Sequence, residues 1–355
     1  MTLKDLGYTD YLAKFRIEQQ LDSFQVGRVI SEHKERYVVM TESGEYDSEL
    51  IGHLRFTAES RHDFPAVGDW VAITEYDDDK ALIHSIYPRS SIIERQAVGK
   101  IGQKQIIATN IDFGLIVQAV DRDFNINRLE RYLTICYDSK VNSVIILNKI
   151  DLLSKTELAS ILEQVTSRIH GVPTFPISNL TNAGFAALKE MIKPGETYCL
   201  LGSSGVGKST LINALSGKEQ MKTGEISTST SKGRHVTSHR ELIVLENGGI
   251  FIDNPGMREV GIADADSGLE MTFDEIVKLS EKCRYSDCTH LHEQGCAVLE
   301  ALENEDLDQV SYDNYVKMLK EKEHYESTVE EKRKKDKQFG KMIKAHKKNR
   351  KHNKY

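Results

Sequence analysis

The 355-residue sequence lacks the long apolar runs that membrane-spanning helices require. Such a helix needs about 18–20 consecutive apolar residues, whereas the longest runs here are short, as at Val144–Leu147. The segment Met1–Phe15 carries Lys, Asp and Tyr early and contains no apolar signal core. We therefore expect neither a secreted nor an integral membrane protein, but a cytoplasmic one.

Cysteine is scarce as well, with five residues in the chain. Cys283, Cys288 and Cys296 crowd into 14 positions beside histidines, a distribution too uneven for a disulfide framework. In a cytoplasmic chain this crowding indicates a metal site. Cys136 and Cys199 stand apart and are predicted to be buried core residues.

The formal net charge of −7 conceals a strong asymmetry along the chain. Residues 332–355 contain 12 Lys and Arg against one acid, a local charge of +11 that leaves −18 for the rest. We call residues 332–355 the basic tail. A solvated helix would explain such a tail, but it is also a candidate for phosphate-rich partners.

The length predicts two or three domains, and the pattern of the sequence changes twice. Short β segments separated by turn residues over 21–100 predict a small OB-type barrel, with a β-sandwich as the alternative. The expected strands are Phe24–Ile30, Tyr37–Met40, Glu49–Arg55, Trp70–Ile73 and Ala81–Ile86. We expect the single Trp70 to belong to the core rather than to a base-stacking surface.

Beyond the predicted barrel, apolar strands alternate with helical periods, which predicts an α/β domain with a mostly parallel sheet. The remainder of the chain is helical and charged. We expect an N-terminal segment with the OB-fold over residues 1–104, the α/β domain over 105–264, and a metal-binding domain with the basic tail over 265–355.

A phosphate-binding loop is predicted at residues 202–209, which match G-x-x-x-x-G-K-[ST] between an apolar strand and a helical run. Backbone amides of such a loop wrap a phosphate chain at a helix N-terminus. Lys208 is expected to reach the β/γ-phosphates, and the Ser209 hydroxyl to bind Mg²⁺. The predicted nucleotide contacts here are Gly202, Ser203, Ser204, Gly205, Val206, Gly207, Lys208, Ser209 and Thr210.

The base-recognition motif N-K-x-D directly follows the strand Val144–Leu147, and consists of Asn148, Lys149, Ile150 and Asp151. The carboxylate of Asp151 can accept from the ring N–H and the 2-amino group of guanine, whereas adenine offers no such donors. This predicts a guanine nucleotide and disfavours an ATP-driven enzyme. Asn148 would brace the loop, the Lys149 stem would lie over the base, and Ser178-Asn179 would add a further base-contacting loop.

The motif D-x-x-G occurs at residues 253–256, after the strand Ile250–Ile252. Asp253 is expected to hold Mg²⁺ through water, and the Gly256 amide to sense the γ-phosphate. Between the phosphate loop and this motif, a switch loop at residues 232–240 could offer Thr237 to Mg²⁺, with Ser238 as the competing candidate.

The order of these motifs is unusual, because N-K-x-D stands 54 residues before Gly202 instead of after D-x-x-G. The cyclic order is kept, so the same sheet and pocket can form. The sequence therefore predicts a circularly permuted GTPase.

Four features together resemble the ribosome-biogenesis GTPases of the RsgA (YjeQ/YloQ) type: the permuted motif order, the β-rich N-terminal domain, the Gly233-Arg234-His235 loop and the Cys/His cluster. The resemblance covers essentially the whole chain. The resemblance implies an OB-fold, a permuted GTPase domain and a zinc domain that dock on the small ribosomal subunit and its rRNA during late maturation. It also implies that subunit binding stimulates hydrolysis. Members commonly show Thr-Thr after the Gly-Arg-His run, where this chain has Val236-Thr237.

Hydrolysis needs a water in line with the γ-phosphate, and the residue after D-x-x-G, often Gln, is Met257 here. Met257 cannot hydrogen-bond usefully to water, so slow intrinsic turnover is expected. His235 is the candidate catalytic residue that orients the water, with His239 behind it. The alternative is that the ribosomal partner completes the site.

The cluster Cys283-x₄-Cys288-x-His290-x₅-Cys296 offers three thiolates and an imidazole, which suits structural Zn²⁺. The chemistry alone leaves His292 open as the fourth ligand, and the resemblance selects His290. With all four positions filled by protein, the zinc would be structural rather than catalytic.

These inferences converge on a GTPase that binds Mg²⁺ with GTP, holds one structural Zn²⁺, acts on the assembling small subunit and its rRNA, and is a monomer without membrane contact. The alternative function is a GTP-regulated RNA-binding or translation-regulating module in which hydrolysis only times release.

Overall fold

The computed structural model describes residues 1–33, 35–96, 104–121, 124–216, 240–253 and 266–324. The strands are β1 (Gln25–His33), β2 (Arg36–Met40), β3 (Glu45–Leu50), β4 (Trp70–Asp77), β5 (Lys80–Ile86), β6 (Ile92–Gln96), β7 (Lys104–Thr109), β8 (Phe113–Ala119), β9 (Asn142–Asn148), β10 (Thr174–Pro176), β11 (Thr197–Leu201), β12 (Glu241–Val244) and β13 (Ile250–Asp253). The helices are α1 (Asp10–Glu18), α2 (Gly52–Thr57), α3 (Ile126–Asp138), α4 (Lys155–Arg168), α5 (Phe185–Met191), α6 (Lys208–Ser216), α7 (Asp266–Thr272), α8 (Asp274–Ser280) and α9 (Ala297–Glu303). Residues 309–324 are helical too.

Strands β1 to β5 close into a barrel. Strand β1 pairs antiparallel with both β2 and β4, β3 pairs parallel with β5, and β4 pairs antiparallel with β5. The resulting closed order β1-β2-β3-β5-β4-β1 is that of an OB-fold. The predicted barrel is therefore confirmed, and the β-sandwich alternative is wrong.

The third predicted strand, Glu49–Arg55, is wrong. Strand β3 ends at Leu50, and the short helix α2 begins at Gly52. The true strand alternates strictly between exposed and buried residues. Leu50 and Leu54 both pack against the barrel core, and their four-residue spacing places them on one face in a strand and in a helix alike.

The single tryptophan is buried between the outer face of the barrel and the N-terminal segment, in a cluster with Leu6 and Leu12. Trp70 is 1% exposed, as predicted for a core residue, and the ring of Tyr8 packs edge-on against it with centroids 5.0 Å apart. The guanidinium of Arg28 lies 5.4 Å from the Trp70 ring centroid. Trp70 is thus covered by neighbouring side chains and presents no face for stacking with a base.

A second sheet follows the order β10-β9-β8-β11-β13-β12, in which the first five strands are parallel and β12 is antiparallel to β13. Two clusters of buried apolar side chains cover its two faces. All five residues of β11 are buried, which is typical of a central strand in a sheet covered on both faces. Cys136 and Cys199 are both in this core, as predicted.

The barrel and the parallel sheet belong to one compact unit and are joined edge to edge. Ser31 on β1 pairs antiparallel with Glu241 on β12, so the eleven strands form one continuous sheet. Arg240, which precedes β12, donates from its guanidinium to the Ile106 carbonyl at 2.7 Å.

A second compact unit contains described residues 275–324, among others. It includes most of α8, all of α9, the helix at residues 309–324 and the cysteine-rich segment between α8 and α9. Throughout the described ranges of both units, the helices are too short or too polar to span a bilayer.

Candidate nucleotide site and metal cluster

The predicted nucleotide-binding residues gather at one edge of the parallel sheet. The loop at 202–207 follows β11, the N-K-x-D motif follows β9, and Ser178 lies shortly after β10. Asp253 is the last residue of β13. Ligands of open α/β sheets bind outside the carboxyl ends of the strands, which is where all four elements meet.

The phosphate loop needs its first and last glycines for steric reasons. Gly202 and Gly207 both have positive φ, +147° and +97°. A Cβ atom at Gly202 would collide with the carbonyl oxygen of Val117, and one at Gly207 with the amide nitrogens of Asn148 and Asn179. Only glycine therefore lets this loop lie against β8 and the base-recognition loops.

Lys208, the first residue of α6, is folded back over the loop. Its side chain is 8% exposed, and Nζ donates to the carbonyls of Gly202 at 2.7 Å and Ser203 at 2.8 Å. Burial lowers the pKa of Lys208, and the nearby Asp253 carboxylate opposes this decrease. A phosphate chain would offer the ammonium a stronger, charged partner than the two carbonyls.

Two asparagines tie the base-recognition loops to the phosphate loop. Asn148 donates from Nδ2 to the Val206 carbonyl at 2.8 Å, and Asn179 donates from Nδ2 to the Gly207 carbonyl at 2.9 Å. The Asn148 Oδ1 atom in turn accepts from the backbone N–H groups of Lys149 at 2.8 Å and Asn179 at 3.2 Å. The spacing between the two loops is thus set by hydrogen bonds within the protein.

The carboxylate of Asp151 is exposed and held at one side by Ser178. The Ser178 hydroxyl donates to Asp151 Oδ1 in a short hydrogen bond and accepts from the N–H groups of Leu180 at 3.2 Å and Thr181 at 3.1 Å. This arrangement orients the carboxylate while leaving it accessible, which recognition of a base edge requires.

Two contacts at this edge were not predicted from the sequence. Arg128, near the start of α3, approaches Ser203 Oγ with one guanidinium nitrogen at 3.4 Å. Lys149 Nζ donates to Asp121 Oδ2 at 2.9 Å. Asp121 follows β8 by two residues. A polar residue shortly after a buried strand lies at the carboxyl edge of the sheet, so this position could have been predicted as part of the site from the sequence.

Two of the three predicted magnesium ligands, Ser209 and Asp253, belong to the described residues. Ser209 is half-buried in the first turn of α6, and Asp253 is 1% exposed at the end of β13. An oxygen-only set of this kind suits Mg²⁺. Thr237 and its competitor Ser238, the catalytic candidate His235 with His239, Gly256, Met257 and the basic tail lie outside the described residues.

In the second unit, the four predicted zinc ligands come together. The ligand atoms of Cys283, Cys288, His290 and Cys296 all lie within 4.8 Å of one another. His290 Nδ1 is 3.6 Å from Cys283 Sγ and 3.4 Å from Cys296 Sγ, and the two sulfurs are 3.9 Å apart. Tetrahedral zinc with ordinary Zn–S and Zn–N bonds implies edges of about 3.5–3.8 Å, so the donor set fits zinc.

The backbone around His290 is locked by side chains that are not ligands. His290 has a φ of 60°, in the left-handed region, and its carbonyl accepts from the Tyr312 hydroxyl at 2.7 Å. Glu293 accepts from the N–H groups of three preceding residues, Thr289, Leu291 and His292, each at 3.1 Å. Burial lowers the pKa of His290, which favours the neutral imidazole that metals bind.

The structure also distinguishes between the two histidines that chemistry left open. His292 is exposed and is not in the cluster, whereas His290 is 8% exposed and faces the sulfurs.

Comparison with known proteins identifies relatives across nearly the whole chain. A family model described as RsgA GTPase matches residues 86–263. The chain is 41% identical over 321 residues to the small ribosomal subunit biogenesis GTPase RsgA 2 of Listeria monocytogenes serotype 4b, covering 90% of this chain and 89% of that one. It is 39% identical over 344 residues to RsgA 1 of Bacteroides thetaiotaomicron, covering 96% of each chain.

Solved structures of the same kind are similar in fold. YjeQ from Thermotoga maritima aligns with a TM-score of 0.61 and 27% identity, over 84% of this chain and 98% of that one. YloQ, described as a circularly permuted GTPase, aligns with a TM-score of 0.60 and 25% identity, over 84% of this chain and 94% of that one.

An ABC transporter family model also matches, over residues 185–353. This match covers less than half of the chain and includes the phosphate loop, an element that P-loop NTPases of many kinds share.

Proposed function

The chain belongs to the RsgA GTPase family and is a GTP hydrolase, and from this premise we propose that it acts in the cytoplasm in late maturation of the small ribosomal subunit. It binds the subunit in the GTP state, hydrolyses GTP there and leaves with GDP. The observation that carries the proposal is the identity of 41% across 90% of the chain to a protein named for small-subunit biogenesis.

In this proposal the phosphate loop is the anchor for the triphosphate. Its backbone amides and the Lys208 ammonium face the phosphates, and Thr210 follows within the first turn of α6. Ser209, Asp253 and Thr237 would hold Mg²⁺, which neutralises charge on the β- and γ-phosphates when bound. The Gly256 amide would sense the γ-phosphate.

The base is recognised by the loops after β9 and β10. Asp151 accepts from the two donors of guanine, and Ser178 keeps its carboxylate in place. Asn148 and Asn179 hold these loops against the phosphate loop, so base and phosphates are bound at a set distance. Lys149 and Ile150 complete the pocket, with the Lys149 stem against the face of the base.

Hydrolysis itself is assigned to the switch loop, with His235 orienting the water. Because Met257 occupies the position where many GTPases have Gln, we expect slow turnover of the free protein and stimulation by the subunit. Stimulation of this kind would couple hydrolysis to arrival on the correct partner.

The remaining parts are proposed to act in docking, by a monomeric protein. Zn²⁺ held by Cys283, Cys288, His290 and Cys296 would stabilise its loop without taking part in chemistry. The basic tail would contact rRNA phosphates, which position a protein on RNA without reading its sequence.

The test is GTP and ATP hydrolysis by purified protein, alone, with small subunits and with large subunits. We expect GTP-specific hydrolysis that small subunits stimulate and large subunits do not. Lys208→Ala should abolish hydrolysis, and Asp151→Asn should transfer the preference from GTP to xanthosine triphosphate, because an amide can donate to the 2-carbonyl of xanthine.

Equal rates with and without small subunits would contradict the role in subunit maturation. Normal subunit maturation in cells that carry only Lys208→Ala or His235→Ala would instead favour a binding module in which turnover merely times release.

A further inference from the structure

The side chain of Lys149 is held by an acid that belongs to none of the nucleotide motifs. Lys149 Nζ lies 2.9 Å from Asp121 Oδ2, and the two side chains are 29% and 23% exposed. The Lys149 backbone has φ 68° and ψ 33°, a left-handed conformation that is uncommon outside glycine. Both the backbone and the head group of this lysine are therefore constrained.

Asp121 is well placed to impose that constraint. It follows the parallel strand next to β9, and the backbone N–H of Val120 donates to the Asn148 carbonyl at 2.9 Å. The pairing of β8 with β9 thus continues past the strand ends, directly beside both residues of the ion pair. The backbone next to Asp121 is therefore held against the N-K-x-D loop by hydrogen bonds, and the ion pair joins the two side chains.

We propose that Asp121 is a positioning residue for the base of the nucleotide. Its carboxylate holds the Lys149 ammonium at the sheet edge, so that the methylene stem of Lys149 stays in place as one wall of the base pocket. This inference rests on the proposed role of Lys149 in guanine-nucleotide binding.

Two physical effects make this constraint useful. A free lysine side chain loses rotamer freedom when it is ordered on binding, and ordering it beforehand reduces that cost. An unpaired ammonium would also be drawn toward the triphosphate, since unlike charges attract over several ångströms. Pairing with Asp121 keeps the charge of Lys149 away from the phosphates, which Lys208 already serves.

The test is a double-mutant cycle on GDP affinity, measured with a fluorescent GDP analogue on the full chain loaded with Mg²⁺. Asp121→Asn should weaken binding about fivefold. Lys149→Met keeps most of the stem but removes the ammonium, so Asp121→Asn should have no further effect in that background. Asp78→Asn, which removes an exposed carboxylate from the β4–β5 turn, is the matched control and should bind like the wild type.

Three further readouts separate positioning from general damage. Asp121→Asn should raise the KM for GTP while leaving kcat unchanged. It should not weaken inhibition by inorganic tripolyphosphate, because the freed ammonium attracts phosphates. It should weaken the binding of GDP and of IDP by the same factor, because Asp151 still contacts the base edge. The midpoint of urea unfolding of the nucleotide-free protein should stay at the wild-type value.

The inference is overturned if Asp121→Asn binds GDP like the wild type, or if it weakens binding equally in the Lys149→Met background. Either result leaves the proposed function intact as long as the wild type binds GDP more tightly than ADP. Failure of the wild type to prefer GDP would instead overturn the proposed guanine site itself.

Discussion

At the scale of single residues, the proposed nucleotide site depends on a few polar side chains that form hydrogen bonds between loops. Asn148 and Asn179 reach the carbonyls of Val206 and Gly207, so the loop for the base and the loop for the phosphates form one hydrogen-bonded body. Gly207 is the position where this body is tightest, because both amide nitrogens lie where its Cβ would be.

Gly207→Ala is therefore expected to weaken GDP binding by about tenfold or more, since the new methyl group separates the two loops and the positive φ strains alanine. Equilibrium binding of a fluorescent GDP analogue measures the effect. Gly52→Ala is the control, because a Cβ at Gly52 meets nothing within 4 Å. GDP affinity of Gly207→Ala within twofold of the wild type would contradict this account of the brace.

At the scale of elements, β1 connects the barrel to its surroundings through Arg28. The Arg28 guanidinium is 1% exposed and donates to three carbonyls, those of Leu6 at 2.6 Å, Gly68 at 3.1 Å and Asn110 at 3.0 Å. Burial lowers the pKa of Arg28 to about 10, which still leaves it charged at neutral pH. One side chain thus ties together the N-terminal segment, the barrel and the turn before β8.

Arg28→Met should lower the free energy of unfolding by about 3 kcal/mol, because three buried carbonyls lose their donor and the nearby Asp69 and Asp112 lose a compensating charge. Urea denaturation followed by tryptophan fluorescence is suitable, since Trp70 lies beside Arg28. Arg36→Met, at a side chain that is 81% exposed, should change stability by less than about 0.5 kcal/mol. Similar losses of unfolding free energy in Arg28→Met and Arg36→Met would show that the hydrogen bonds of Arg28 contribute little to stability.

The loop that carries the Cys/His cluster is an element whose geometry depends on a residue outside it. The Tyr312 hydroxyl, on the helix at 309–324, donates to the carbonyl of His290 and so supports the left-handed backbone of that histidine.

Tyr312→Phe is expected to reduce zinc affinity by about tenfold, the usual size of an effect from a residue that orients a ligand. Competition with a chromophoric zinc chelator gives the affinity. Tyr285→Phe removes a hydroxyl from a residue that is 47% exposed and serves as the control. Equal zinc affinities of the two variants would mean that the ligands alone set the geometry.

At the scale of the whole molecule, the acidic body and the basic tail are expected to act in opposite ways toward RNA. Lys and Arg that meet phosphates release counterions, so affinity falls steeply with salt. The −18 charge of the remaining chain repels phosphate and leaves docking to local cations.

Replacing Lys334 and Lys335 together with Gln should reduce the slope of log affinity for small subunits against log salt concentration. The expected reduction is about one unit per lost phosphate contact. Sedimentation of subunit complexes at several salt concentrations measures this slope. Neutralising Lys155 and Lys189, exposed lysines of the nucleotide-binding unit, provides a variant of equal net charge. The same slope for both variants would show that the tail contributes only through overall charge.

Much of this molecule was predictable because short local sequence patterns specify its chemistry. The phosphate loop, N-K-x-D and the Cys/His spacing each need only a few consecutive residues and a strand or helix beside them. The permuted order of the motifs followed from their positions along the chain. The error at Glu49–Arg55 arose because the four-residue spacing of Leu50 and Leu54 places them on one face in a strand and in a helix alike.

The sequence by itself determined the class of fold, the nucleotide and the donor types of the metal cluster, because residue identity and local spacing carry that information. Only the tertiary structure decided which distant groups meet. Lys149 pairs with Asp121 across 28 positions, Asn148 reaches Val206 across 58, and Arg28 reaches Asn110 across 82. Such pairs depend on strand order and register, which arise from the packing of the whole core and not from any one segment.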